Sequence, residues 1–342
     1  MRKHKNVTIC IKTHLTKFMS YKKKLSIICT SRDDDYGDSK TDGIYDLDFE
    51  PIDNINRIKI SVEKNLQNFN KYFNFDFEYI IVDWSPINKN YLYKNHNLKE
   101  IFKDDSIKSI IVSNESVLKK GLDPVGFFEL YAKNVGIRNA VGENLLITNS
   151  DCYFSEELIK ELNFIFEEDN TNRYFYRPFS RFDIDNEFNV INEGYSFYKT
   201  KGFFKSSDIF KIKHNLNIEM NMSENLFQIE TIFNDLIGTP ASGDFTLSSN
   251  YNINHLCSGY LEGNKEGVDK NTRQAGYDGQ LLINLFLYGI FPRQLVNSIY
   301  TFDHNKVERN TIKNDHKVYR NSDEWGFSNF VKKELNSKVT LI

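Results

Sequence analysis

The chain has 342 residues, of which 40% are hydrophobic and 14% aromatic, so it is long enough for one large domain with a packed core. Its formal net charge of −3 argues against a dedicated nucleic-acid-binding protein, which usually carries a strong basic excess. The four cysteines lie far apart without C-x2-C spacing, which argues against a zinc framework and fits a reducing, cytoplasmic compartment.

The N-terminal arm, residues 1–24, holds eight Lys or Arg and no acid. Lys12, His14 and Lys17 interrupt its apolar residues, so it lacks the apolar region of a signal peptide. We interpret it as a solvated arm, and peripheral contact with a membrane surface or a partner is the alternative. No apolar stretch approaches the roughly 20 residues of a membrane span, so no transmembrane segment is predicted.

Apolar residues in the first half follow strand and helix periods in alternation. This alternation predicts an α/β fold with a mostly parallel central sheet flanked by helices. Ser155 is expected to cap the last of these helices, because acidic residues fill the turn that follows it. In chain order, the predicted elements are strand 25–30, helix 58–73, strand 79–82, strand 109–113, helix 128–137, strand 145–147 and helix 156–165.

The second half is less regular, and residues 171–236 show no clear period. A helix is predicted over 278–288 and a strand over 299–304. The tail beyond about residue 310 is polar, so we expect it to pack only on the surface. The sequence shows no convincing linker, which favours one domain with additions over two domains.

Three of the predicted strands end in acidic residues, Asp33, Asp83 and Asp151. The carboxyl ends of parallel strands meet at one edge of the sheet, where ligands of such sheets bind. One acid there often only ends a strand in a solvated turn. Three acids on the same edge predict a pocket for a cation, for hydroxyl groups or for a metal-bridged phosphate.

A series of motifs runs through residues 25–305 in a fixed order. In the first half they are Thr30–Asp34, Glu78–Pro86, Ala132–Ala140 and Gly142–Asp151. In the second half they are Ala241–Phe245, Gly276–Gly279 and Phe302–His304. The first group resembles the nucleotide-sugar-binding half of family 2-like glycosyltransferases with the GT-A fold. The second group resembles the acceptor half of the same enzymes.

The resemblance implies a GT-A type fold with a Rossmann-like nucleotide-binding half, residues 25–155, and an irregular acceptor half, residues 156–305. The basic arm 1–24 and a C-terminal extension, residues 306–342, would lie outside this domain. The implied reaction moves a sugar from a nucleotide-diphosphate sugar to a glycan or other hydroxyl acceptor, with inversion at the anomeric carbon. Nucleic acid is not an expected partner.

The first two motifs are implied to bind the nucleoside. Asp83 would accept hydrogen bonds from the base, and the segment Ser31, Arg32, Asp33 would contact the base or the ribose, with Asp34 as an alternative to Asp33. These acids could instead simply end strands in solvated turns.

The third motif is implied to hold ribose or diphosphate through Lys133, Asn134 and Arg138 on one predicted helix. Residues 134 and 138 are i, i+4 neighbours and therefore share a helix face. The alternative is a solvated face on which Arg138 pairs with a surface acid.

Asp151 is implied to bind a divalent cation, Mn²⁺ or Mg²⁺, that bridges the two phosphates. The family generally carries Asp-x-Asp here, but this chain has Asn149 at the first position. We assign Asn149 and Ser150 to sugar or ribose contacts, and His304 resembles a C-terminal histidine that would complete the metal site. A helix-entry turn is the alternative for Asp151, and a structural role is the alternative for His304.

Asp278 is the candidate general base, because it opens a predicted helix and matches the position of the acidic base in the family. The alternative is an ordinary N-cap residue. Asp244 is the competing base, and we assign it to hydroxyl groups of donor or acceptor. The Gly- and Asn-rich stretch 259–276 is expected either to close over the donor or to form a surface loop.

Other function classes compete with this interpretation. A nucleotidyltransferase would need a Gly-rich phosphate loop after the first strand, where this chain has an acidic segment instead. A non-catalytic nucleotide- or sugar-binding module of the same fold is favoured by Asn149. A retaining transferase is the third alternative, since a fold does not choose a reaction.

Overall fold

The computed structural model describes residues 23–33, 53–168, 171–178, 180–185, 187–196, 243–262, 274–275, 277–302, 310–311 and 321–342. Several predicted features lie outside the described residues: the arm up to residue 22, Asp34, residues 263–273, Gly276, Asp303 and His304. The side chain of Asp278 also lies outside them, although its backbone is described.

The helices and strands of the described residues are as follows. The helices are α1 (Asn54–Tyr72), α2 (Asn114–Lys119), α3 (Glu129–Asn139), α4 (Glu156–Glu167) and α5 (Tyr277–Leu287). The first eight strands are β1 (Lys23–Ser31), β2 (Phe77–Trp84), β3 (Ile107–Val112), β4 (Gly142–Thr148), β5 (Cys152–Tyr153), β6 (Tyr174–Arg177), β7 (Ser180–Ile184) and β8 (Val190–Ser196). The others are β9 (Phe245–Ser249), β10 (Gln274–Ala275), β11 (Phe291–Gln294), β12 (Ile299–Phe302), β13 (Asn310–Thr311), β14 (Lys333–Asn336) and β15 (Val339–Leu341).

Nine of the described strands form the central sheet, in the order β11-β6-β9-β4-β1-β2-β3-β15-β14. Neighbouring strands from β4 to β15 are parallel, as are β11 and β6. Strand β9 runs antiparallel to both β4 and β6, and β14 runs antiparallel to β15. The predicted fold class, a mostly parallel central sheet flanked by helices, is confirmed.

Helices cover both faces of this sheet. Because side chains alternate along a strand, Ile27 and Cys29 of β1 pack on one side with residues of α1 and α4. Ile28 packs on the other side with residues of α3 and α5. These strands are therefore buried on both faces, which explains why they are almost continuously apolar in sequence.

Gly136 allows α3 to lie close against the sheet. A Cβ atom at this position would come within 2.4 Å of Ile28 Cγ2 and 3.2 Å of Val82 Cγ2, so a larger residue would push the helix away. The close approach brings the side chain of Lys133, one turn earlier on α3, to the carboxyl edge of the sheet.

The C-terminal tail is part of the core, so the expectation that it packs only on the surface was wrong. Strand β15 pairs in parallel with β3 and extends the central sheet, and Trp325 and Phe327 are buried. The tail's strands are short, and all four residues of Lys333–Asn336 are exposed. Such a segment has no apolar period from which its place in the sheet could be predicted.

A second sheet has the order β5-β12-β7-β8. Strand β12 is antiparallel to β5 and parallel to β7, with Thr301 opposite Cys152. The backbone amide of Phe302 donates a hydrogen bond of 3.3 Å to the carbonyl oxygen of Asp151. The chain that leads to residue 304 therefore leaves the described part of the molecule beside Asp151.

None of the described helices combines the length and the apolar character that crossing a lipid bilayer requires.

Candidate functional site

Three chain segments meet at one corner of the central sheet. Strand β4 ends at Thr148, and residues 149–151 follow it. Strand β9 begins beside it, because Thr148 lies opposite Phe245 in the antiparallel pair. This register places Asp244 next to the turn after β4, where the Thr148 hydroxyl donates to the Asp244 carbonyl oxygen at 2.7 Å. We call residues 149–152 the β4 turn.

Among the described residues, Lys133 is one of two cationic side chains at this corner, and it is fully buried. The ammonium group donates to Glu129 Oε1 at 2.5 Å, to Asn149 Oδ1 at 2.7 Å and to the carbonyl oxygen of Gly243 at 2.7 Å. These contacts match the three donors of an ammonium group, as a buried charge requires. Lys133 therefore joins the helix α3 to both segments of the corner.

Asn149 bridges a cation and an anion. Its Oδ1 accepts from Lys133, while its Nδ2 donates to Asp244 Oδ1 at 2.6 Å. The two neighbours fix which end of the amide is oxygen and which is nitrogen. Because the amide oxygen already faces an ammonium group, Asn149 is poorly placed to coordinate a cation.

Arg181 of β7 completes the chain of contacts. Its Nη1 donates to Asp244 Oδ2 at 2.7 Å, and its Nη2 donates to Asp183 Oδ1 at 2.9 Å. Burial opposes the charge of this guanidinium, but the two carboxylates outweigh burial and raise the pKa of Arg181 above its usual value. Its side chain is 12% exposed, so this is a largely buried charge network.

Asp151 and Ser150 lie within the β4 turn. Ser150 is buried, and Asp151 is half-buried. The amide of Cys152 donates to the Asn149 carbonyl oxygen at 3.3 Å and closes the turn. Cys152 and Cys29 are buried, as expected for structural thiols; burial raises the pKa of both, that of Cys29 to about 12.

Asp83 lies at the end of β2 with its carboxylate buried. Its Oδ2 accepts a hydrogen bond of 2.8 Å from the backbone amide of Leu92, which ties the strand end to the following loop. Arg32 is also fully buried, and its Nη1 donates to the carbonyl oxygen of Val125 at 2.8 Å. Both side chains therefore hold loops in place, and contact with a nucleotide stays a prediction for each.

Two more residues at this edge also contact the protein. Asp33 accepts hydrogen bonds from Asn95 Nδ2 at 3.1 and 3.3 Å. Ser31 is buried, and its hydroxyl oxygen accepts from Asn54 Nδ2 at 3.3 Å. Parallel pairing brings Ser31 opposite Asp83, so the predicted acids of β1 and β2 do share one edge of the sheet.

Asn134 and Arg138 face a different part of the molecule from Lys133. Asn134 Nδ2 donates to the carbonyl oxygen of Tyr260 at 2.8 Å and to Glu262 Oε1 at 2.9 Å. The Arg138 guanidinium lies 4.6 Å from the centre of the Trp325 ring. The prediction that residues 134 and 138 share a helix face is confirmed, but that face contacts the segment 258–262 and the C-terminal tail.

Glu262 is the buried acid of this second region. It lies 3.3 Å from Lys120 Nζ and accepts from the Gly326 amide at 2.7 Å. Burial raises its pKa, although Lys120, the Gly326 amide and Asn134 act in the opposite direction. Gly326 has φ +60°, and a Cβ there would come within 2.5 Å of Arg138, so glycine lets the tail approach α3.

The remaining predicted site residues are described only in part. Asp278 lies in the first turn of α5, so the predicted helix entry is confirmed while its role stays a prediction. His304 lies outside the described residues. Within the described part of the chain, no three His, Cys, Asp or Glu side chains are grouped as metal ligands would be. Asp151 is the predicted metal ligand that the structure describes.

Sequence reasoning missed Arg181, Asp183 and Glu129, although all three belong to the charge network. Arg181 and Asp183 are i, i+2 neighbours, a spacing that puts two residues on one face of a strand. Glu129 and Lys133 are i, i+4 neighbours on a helix. Both spacings are visible in the sequence, but they do not reveal that the two pairs meet.

No family model matches the chain, and no curated protein matches its sequence. The chain is similar in structure to a crystal structure of S. aureus TarS 1–349, with 12% sequence identity and a TM-score of 0.41. The match covers 82% of this chain and 60% of that chain, so this chain spans about three fifths of the length of the protein it matches.

Proposed function

We propose that this chain transfers a sugar from a nucleotide-diphosphate sugar to an acceptor hydroxyl, with the diphosphate bound at the β4 turn. The observation that carries the proposal is the meeting of three segments at one corner: the end of β4 with Asp151, the start of β9 with Asp244, and the end of β12 beside Asp151. Ligands of open α/β sheets bind beyond the carboxyl ends of their strands.

The charge of this corner supports a role for a divalent cation. Its hydrogen-bonded network contains two cationic side chains, Lys133 and Arg181, and three carboxylates, those of Glu129, Asp183 and Asp244, which gives a net charge of −1. The carboxylate of Asp151 makes the corner more negative still. An anionic diphosphate would be repelled there unless a cation came with it.

Magnesium and manganese prefer oxygen ligands, above all carboxylates. Asp151 supplies a carboxylate for such an ion, and we propose His304 as the second ligand. It stands two positions after Phe302 in the sequence, and the amide of Phe302 donates a hydrogen bond to the carbonyl oxygen of Asp151. When bound, the ion would neutralise the leaving diphosphate.

The protein's own part in the reaction is to orient the acceptor and take its proton. The acceptor oxygen forms a bond to the anomeric carbon while the bond from that carbon to the diphosphate breaks. The acceptor proton passes to the carboxylate of Asp278, which the first turn of α5 favours in its anionic form. Asp244 is less suited to this task, because Asn149 and Arg181 already donate to its two oxygens.

A panel of UDP-, GDP- and dTDP-sugars with manganese tests the function. We expect the protein to release nucleoside diphosphate from at least one donor, measured by chromatography. If no donor is hydrolysed or bound, the proposal is wrong.

Substitution Asp278→Asn tests the assignment of the base. The amide keeps the size of the side chain but cannot accept the proton, so transfer should fall by about 10²- to 10⁴-fold while donor binding is retained. Transfer is followed by product chromatography, and donor binding by calorimetry. Persistent transfer would reject Asp278 and make Asp244 the base.

A non-catalytic nucleotide-sugar-binding module is the second candidate. The β4 turn favours this candidate because it contains one carboxylate, that of Asp151. Asn149 cannot replace the second carboxylate, since its side chain already bonds Lys133 and Asp244. Binding of a nucleotide sugar without release or transfer would support this candidate. If transfer occurs, NMR of the product's anomeric proton distinguishes inversion from the retaining alternative.

A further inference from the structure

Four side chains form a continuous path of hydrogen bonds into the β4 turn. Arg181 donates to Asp244 at 2.7 Å, and Asn149 donates to the other oxygen of Asp244 at 2.6 Å. Lys133 then donates to Asn149 at 2.7 Å. The path joins strand β7, the start of β9, the end of β4 and helix α3, so four separate elements are tied at one place.

We propose that Arg181 is a positioning residue, which acts through Asp244 to fix the turn that carries Asp151. This inference rests on the proposed function, because it concerns the same β4 turn. Arg181 itself lies at the far end of the path and is not assigned a contact with substrate.

The physical reason is the orientation of Asn149. Its side-chain amide has one orientation that satisfies both neighbours, and Asp244 defines the donor side of that amide. Asn149 is also the residue whose carbonyl oxygen closes the β4 turn by accepting from Cys152. Hydrogen bonds at both ends of the Asn149 side chain therefore restrain the residue whose backbone closes the turn, two positions before Asp151.

The charge of Arg181 stabilises the buried carboxylate of Asp244 in its position beside Asn149. The side chain of Asp244 is 9% exposed, and a buried carboxylate that loses its cation is strongly disfavoured. Asp183 lies on strand β7 with Arg181, and its Oδ1 accepts a hydrogen bond of 2.9 Å from Arg181 Nη2. Groups that orient a ligand-bearing residue in this way typically change metal affinity or activity by about 10- to 100-fold when removed.

Arg181→Met is the test variant, because it keeps the length of the side chain and removes the charge. At a temperature where circular dichroism shows a folded protein, we expect the manganese concentration for half-maximal nucleotide release to rise about 10- to 100-fold. A merely structural role would lower the melting temperature without changing this manganese dependence. A folded variant with unchanged manganese dependence would overturn the proposal.

Arg293→Met is the matched control. Arg293 lies on the edge strand β11, where its guanidinium is 4.6 Å from the Tyr174 ring and 3.8 Å from Glu168. This variant loses an arginine that lies outside the path, so it should keep the wild-type manganese dependence.

Arg181→Lys is the second variant, used if Arg181→Met does not fold. A lysine ammonium can reach Asp244, but it cannot bond Asp244 and Asp183 at once as the guanidinium does. We therefore expect a manganese dependence between those of the wild type and a variant without the charge. Wild-type dependence in Arg181→Lys would overturn the proposal.

A double-mutant cycle separates this inference from the proposed function, because it needs no donor. Melting temperatures are measured for Arg181→Met, Asn149→Ala and the variant with both changes. Residues of one network are expected to show non-additive effects. Additive effects would overturn the path from Arg181 to Asn149 even if the protein is active. Failure of every donor in the panel would instead reject the function and leave the non-additivity intact.

Discussion

The side chain of Asn149 lies between a cation and an anion. Its amide presents an oxygen to the Lys133 ammonium and a nitrogen to the Asp244 carboxylate, at 2.7 and 2.6 Å. A carboxylate could satisfy the first neighbour but not the second. An amide therefore suits this position between the Lys133 ammonium and the Asp244 carboxylate.

Asn149→Asp should therefore destabilise the protein in a pH-dependent way. Two carboxylates at hydrogen-bonding distance cannot both ionise easily, so the pair would share a proton and one of its pKa values would rise in the folded state. A carboxyl whose pKa is raised by folding costs nothing when both states are protonated; its cost grows as pH rises from the ordinary pKa to the raised one and is full above it. At pH 8 we expect a loss of about 1–3 kcal/mol in the free energy of unfolding, measured by urea titration.

The companion variant moves the amide to the other residue. Asn149→Asp combined with Asp244→Asn restores one acid and one amide, and Arg181 keeps its contact with Asp183. Part of the lost stability at pH 8 should return. If Asn149→Asp is as stable as the wild type at both pH 4 and pH 8, the contact between residues 149 and 244 does not exist in solution.

The sequence predicted several residues of this corner but not how they meet. Asp151, Asn149 and Lys133 were singled out because motif order and strand ends point to them. The position of β9 between β4 and β6 could not be predicted from the sequence. Strand β9 is far from β4 along the chain, and no local pattern shows that the start of β9 lies beside the end of β4. Arg181 was missed for the same reason, because its partners are remote in sequence.

At the scale of elements, the C-terminal tail holds the outer side of α3. Trp325 packs against the Arg138 guanidinium, and the Gly326 amide bonds Glu262. Strand β15 adds to the sheet next to β3. Helix α3 is thereby fixed on its outer side by the tail, while Lys133, on another side of the helix, reaches the β4 turn.

Trp325→Ala should weaken this packing strongly. Trp325 is 4% exposed, and removal of a buried indole typically costs about 3–5 kcal/mol, here measured as free energy of unfolding by circular dichroism in urea. Val331→Ala is the control in the same tail, because Val331 is 89% exposed, and its effect should stay within about 0.5 kcal/mol. Equal stability of the two variants would show that the tail does not pack on α3.

Strong local patterns made the first half of the fold predictable. The strands from β1 to β4 are apolar on both faces, and α1 and α4 carry regular apolar stripes, so type and order of these elements follow from local residues. Strands β6 and β7 are short and mix polar with aromatic residues, and β14 is short with a single apolar residue, Leu335. The positions of these strands in the sheets depend on contacts with remote parts of the chain, and the local pattern of apolar residues carries no information about such contacts.

At the scale of the whole molecule, the sheet brings several acidic residues to the edge where its parallel strands end. Parallel strands β1, β2 and β4 all end there, and the antiparallel β9 begins there. The acids at this edge have different surroundings: Asp83 bonds a loop amide, Asp244 is held by an arginine, and Asp151 lies half-buried in the β4 turn. Of the three, Asp151 is the one we assign to the cation and diphosphate.

Calorimetric titration of UDP, GDP and dTDP, each with and without manganese, tests the diphosphate site most directly. The wild type should bind at least one of them, and only with the metal. Asp151→Ala should weaken that binding at least about tenfold. Glu115→Ala, which removes an acid that is 76% exposed on α2, should bind as the wild type does. Equal binding by the wild type and Asp151→Ala, or no binding by the wild type, would contradict a diphosphate site at the β4 turn.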